Sequence, residues 1–118
     1  MQDFEVELLS VIDETLCYCL GSTNVQILYQ YMEKKGCPKQ EIPQKLDLFV
    51  EILENLVGTG RGQILGAAPI MENAILKELC KKLEIKYDEI GPGYFPEQCK
   101  KLKDVYLRTK SSGHSQKP

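Results

Sequence analysis

Four of the nine glycines of this chain, and one of its six prolines, fall in a single stretch, Val57-Gly58-Thr59-Gly60-Arg61-Gly62-Gln63-Ile64-Leu65-Gly66-Ala67-Ala68-Pro69. Strongly amphipathic segments flank it on both sides. Glycine reaches backbone conformations with positive φ and lets a ligand or another helix approach the main chain closely. A stretch this dense is either a special turn or a binding loop, and it divides the chain into two helical halves.

Before it, apolar residues recur at spacings of three and four. Val6, Leu9, Ile12, Leu16 and Leu20 predict a first helix from about Asp3 to Leu20, with Leu8, Val11, Thr15 and Cys19 widening the stripe. Gly21 ends it. Ser22 reads as the N-cap of a second helix, Thr23 to Lys35, with Val25, Leu28 and Met32 inside and Tyr29 and Tyr31 at the flanks. Gly36 ends that helix. In the two-proline connector that follows, Ile42 precedes Pro43, so its backbone is extended and its side chain can plug the core. A third helix is expected from Gln44 to Leu56, with Leu46, Phe49, Leu53 and Leu56 on one face.

After the glycine stretch, Pro69 suits the first turn of a fourth helix with the stripe Ile70, Ala74, Ile75, Leu79 and Leu83. If Ile64 to Ala68 is helical too, one longer helix kinks at Pro69. Gly91-Pro92-Gly93 marks a loop. Pro96 opens a fifth helix to about Thr109, with Cys99, Leu102 and Tyr106 facing inward. Residues 110–118 are polar, without periodicity, and read as a disordered tail. Few windows alternate with period two. The expected fold is all-α: one domain over residues 1–109, a compact bundle of four to five short helices.

Charge divides as the glycines do not. Residues 1–95 carry 9 Lys+Arg against 15 Asp+Glu, net −6, and residues 96–118 carry 6 against 2, net +4. The acidic body repels nucleic acid, and only the basic C-terminal helix could attract it. The run Lys100, Lys101, Lys103, Arg108, Lys110 lacks the interleaved aromatics of a single-strand binder, so nucleic-acid binding ranks last. No apolar run reaches membrane-spanning length. The five cysteines (Cys17, Cys19, Cys37, Cys80, Cys99) match no zinc spacing and read as reduced thiols of a cytoplasmic protein. No metal or cofactor is expected.

The glycine stretch invites an anion-binding reading through Gly58, Gly60, Arg61 and Gly62. It is neither a P-loop nor a dinucleotide fingerprint: no Gly-Lys-Ser/Thr follows, and Gln63 stands where the third glycine belongs. A turn with close helix contact at Gly66-Ala67-Ala68 is the plainer reading. Glu51 and Glu54 read as a solvated helix face. Glu72, among Ile70, Met71 and Ala74, reads as a cap for amides at its helix start. The one histidine, His114, lies in the polar tail, so no catalytic triad assembles and the chain reads as non-enzymatic. Tyrosine is enriched at interfaces, which makes Tyr94 and Phe95 the candidates for partner contact.

Leu20-Gly21-Ser22, Tyr29 with Tyr31-Met32-Glu33-Lys34-Lys35-Gly36, Glu41-Ile42-Pro43, Phe49, Leu53, and Glu72 with Ile75-Leu76-Lys77-Glu78-Leu79 together resemble a small archaeal helical family, the Nitrosopumilus output domain. The resemblance runs from about residue 4 to 83, two thirds of the chain. The turn after the third helix is longer here and richer in glycine, and residues 84–118 lie outside the likeness. The family looks like a module that stands alone or joins signalling proteins, with no established chemistry. The resemblance implies a helical domain and supplies no catalytic residues. The expected function is a non-enzymatic interaction or signal-output module, self-associating or bound to a protein partner. Small-ligand or anion binding at residues 58–66 is the alternative.

Overall fold

Gly21 alone separates the first two helices, α1 (Phe4–Leu20) and α2 (Ser22–Lys34). Its φ of 88° and ψ of 148° lie in a region where a residue with a Cβ is strained. An added Cβ would meet nothing within 4 Å, so the backbone conformation, not space, calls for glycine. The computed structural model describes residues 4–57 and 67–116, with the backbone alone for 57, 67 and 110–116. The glycine stretch from Gly58 to Gly66 therefore lies outside the described residues, as does the question of a longer helix kinked at Pro69.

The sharp corner lays α2 back along α1. Tyr29 Oη donates to Asp13 Oδ1 at 2.7 Å between them. Lys39 Nζ lies 3.5 Å from the same oxygen and 5.0 Å from the centre of the Tyr29 ring. The expected cap at Ser22 is absent. Gly21 holds the cap position and has no side chain to offer, and Ser22 is already helical. Asn24 Nδ2 donates instead to the carbonyl of Leu20 at 2.8 Å, satisfying a free acceptor at the end of α1.

A 3₁₀ turn (Lys39–Gln44) precedes α3 (Leu46–Val57); α4 (Ala67–Leu83), a second 3₁₀ turn (Tyr87–Glu89) and α5 (Phe95–Gln116) complete the chain. All regular structure among the described residues is helical, so the fold is all-α. None of the described helices is long and apolar enough to cross a membrane. Helices α2 and α4 end in the same way. The amide of Cys37 donates to Met32 O at 2.8 Å, and that of Ile85 to Cys80 O at 2.9 Å. Each such ending needs a left-handed residue. After α2 it is Gly36, at φ 95°, and after α4 it is Glu84, at φ 60°.

Helix α1 packs on both α2 and α4, and α3 and α5 pack on α4. The buried face of α1 is Phe4, Leu8, Val11, Ile12, Thr15 and Leu16. It is rotated from the expected stripe, leaving Val6 54% exposed. In α4 the core residues are Ala68, Met71, Ile75, Leu76, Leu79 and Cys80, and Ile70 points outward at 54% exposure. Leu56 of α3, also expected inside, is 47% exposed. Ile42 is fully buried as expected, but it lies within the 3₁₀ turn rather than in the extended backbone that its place before Pro43 suggested. The backbone of α5 continues to Gln116, past the expected end at Thr109 and into the segment read as a disordered tail. Extension of an existing helix costs far less than starting one, and no proline interrupts 97–116.

Candidate functional site

Helices α3 and α4 are joined by nine residues and touch near the ends that the link joins. There Glu54, in the third turn of α3, comes near Glu72, in the second turn of α4. The Glu72 oxygen Oε2 is buried without a hydrogen-bond partner. Burial, then the nearby Glu54 carboxylate, pushes the Glu72 carboxyl up to about 7. The expected cap by Glu72 concerns the start of α4, which borders residues 58–66 outside the described ones.

The residues around the pair extend the site. Tyr94, in the loop before α5, lies near Asp47 at the start of α3; partial desolvation, then Asp47 and the negative charge of Glu54 and Glu72, raise its phenol. Behind the pair, the buried thiol of Cys99 feels the charge of Cys80 and Glu72, and desolvation holds it in the protonated form. Cys80 and Cys37 are raised in the same way. All five cysteines are free, and Cys17 and Cys19 are the two that are not buried. Among the described residues no group of His, Cys, Asp and Glu is arranged to hold a metal ion.

Leu56 and Ile70 stand two residues from Glu54 and Glu72, each towards the link. Leu56 is 47% exposed, Ile70 54% and Tyr94 50%. The linked ends of α3 and α4 thus carry two large exposed apolar side chains.

The remaining predicted residues fare differently. Gly58, Gly60, Arg61 and Gly62 lie outside the described residues. Phe95 is no contact residue: it is 2% exposed, and its ring lies 6.4 Å from that of Phe49 in the core. The sequence placed it beside Tyr94 in a loop, but it opens α5, where the helix turns it inward. Along α5, Lys100, Lys101 and Arg108 are exposed, whereas Lys103 is engaged with Glu5 of α1. A groove of about 330 Å³ opens between the starts of α1, α3 and α5, floored by Phe4, Leu8, Leu46 and Pro96. Its charged rim holds both signs, Glu5, Asp47 and Glu97 with Lys100 and Lys103, and so favours no ligand charge. Glu54, read with Glu51 as a solvated helix face, is partly buried near Glu72, whereas Glu51 is exposed. Glu72 lies 18 positions from Glu54 across the glycine stretch, beyond the reach of helical spacing. Comparison with known proteins finds no matching family model, no similar curated protein and no similar solved structure.

Proposed function

We propose that this chain is a non-enzymatic helical interaction module that associates with a second copy of itself through the linked end of α3 and α4. The observation that carries the reading is the near-half exposure of Leu56 and Ile70 at the linked ends of α3 and α4, with Tyr94, also half-exposed, within the field of Glu54 and Glu72. Single exposed apolar residues are ordinary on a protein surface; several at one end are what contact surfaces present. Tyrosine adds a rigid ring with a polar tip, a residue type favoured at interfaces. A two-fold contact would set the same patch against itself. The resemblance to the archaeal output-domain family supports a signalling role for such a contact.

Sedimentation equilibrium from 1 to 300 µM, on the order of the range that brackets weak association, tests the reading. The chain is expected to shift from monomer towards dimer, and Leu56→Ser with Ile70→Ser to weaken dimerisation by about tenfold or more. A parent that stays monomeric throughout contradicts self-association. A double variant that dimerises like the parent moves the contact elsewhere.

A further inference from the structure

We propose that Glu5 and Asp13 lock the rotational setting of α1: they keep its Leu8 face against the core and exclude a second apolar face that lies one residue round the helix. Helix α1 carries four acids, Glu5, Glu7, Asp13 and Glu14, and no basic residue. Each acid is met by a lysine from another element. Lys103 of α5 pairs with Glu5. Lys82 of α4 lies 3.9 Å from Glu7 Oε1 and 3.9 Å from Glu14 Oε2. Lys39 of the first 3₁₀ turn lies 3.5 Å from Asp13 Oδ1, the oxygen to which Tyr29 of α2 donates at 2.7 Å. Different elements thus grip α1 through its acids at different points of its circumference.

The need for a lock follows from the apolar pattern of α1. A step of one residue turns an α-helix by about 100°. That step would replace the inward set Phe4, Leu8, Val11, Ile12, Thr15 and Leu16 by Glu5, Leu9, Ile12, Asp13, Leu16 and Cys17. Leu9 and Cys17 already pack against the edge of the core, so only Glu5 and Asp13 interrupt the second set. Turned inward, both carboxylates would be buried away from Lys103 and Lys39, and an unpaired buried charge is strongly disfavoured. In the observed setting both stay partly exposed and paired. Ion pairs this exposed add little to stability. Their effect is on which arrangement forms, because a core loses uniqueness before it loses stability. The lock does not depend on the self-association proposed above.

Methyl NMR of the full chain with a soluble paramagnetic probe tests the lock, because Val11 is fully buried in the observed setting and would face outward in the other. The parent is expected to give one set of α1 signals, with Val11 shielded from the probe. Glu5→Leu with Asp13→Leu completes the second apolar face and should add a second set of signals, with Val11 reached by the probe and Leu9 shielded. Glu5→Gln with Asp13→Asn removes the lysine ties but leaves polar groups at both positions. It should keep the single set and raise the urea unfolding constant by about tenfold or less. Should the double leucine variant fail to fold, Asp13→Leu alone, which keeps the tie between Glu5 and Lys103, is read in the same way. A leucine variant that gives one set of signals with Val11 still shielded overturns the lock.

Discussion

Three positions hold conformations or charge states that most side chains do not favour, and each gives a direct test. Gly21 joins α1 to α2 at φ 88°, ψ 148°, with open space around it. Gly21→Ala is expected to destabilise by about 1–3 kcal/mol through backbone strain alone, read as a lower urea midpoint. Glu84 does at the end of α4 what Gly36 does at the end of α2, but with a side chain at φ 60°. Glu84→Gly is therefore expected to raise stability by about 1 kcal/mol; an unchanged or lower melting temperature would show that Glu84 contributes something beyond its backbone. Glu72 is strained electrostatically. Its raised value makes the fold more stable at pH 5 than at pH 7.5, with the change confined to the window between 4.5 and about 7. Because the side chain is only half-buried, solvent screening reduces the effect to about 1–2 kcal/mol.

At the scale of helices, the decisive contrast is between neighbours, Tyr94 exposed and Phe95 buried against Phe49. Phe95→Ala is expected to cost about 3–5 kcal/mol by opening a cavity where α3, α4 and α5 meet. Tyr94→Ser should cost about 1 kcal/mol or less; chemical denaturation of the pair separates them. The same contrast explains what the sequence revealed. The helices from Phe4 to Val57 were legible because glycine and proline punctuate strong periodicity; the burial of Ile42 was legible too, but its 3₁₀ backbone was not. Which face turned inward was less so. In α1, apolar residues cover so much of the circumference that Val6 and Leu8 compete, and only packing against α2 and α4 selects Leu8. In α4, Ile70 looked like core, and the approach of Glu72 to Glu54 stayed hidden, because local spacing carries no information about Glu54 on the other side of the glycine stretch. The candidate site was half legible: Glu72 and Tyr94 stood out by residue type and surroundings, whereas the pairing that gives them chemistry is tertiary.

For the whole molecule, the proposed role rests on one end of the α3–α4 pair being a contact surface. The basic residues of α5 make a competing surface, and salt distinguishes the two. Association through Leu56, Ile70 and Tyr94 should persist or strengthen as salt rises, whereas binding of phosphate backbones through Lys100, Lys101 and Arg108 would weaken steeply. The most direct measurement is an amide NMR dilution series of the full chain, which reports both whether copies meet and where. The account predicts concentration-dependent shifts that centre on Leu56, Ile70, Glu72 and Tyr94 and leave the outer face of α2, at Ile27 and Tyr31, unchanged. Spectra that do not change with concentration, or shifts centred on α2 or α5 instead, would contradict it.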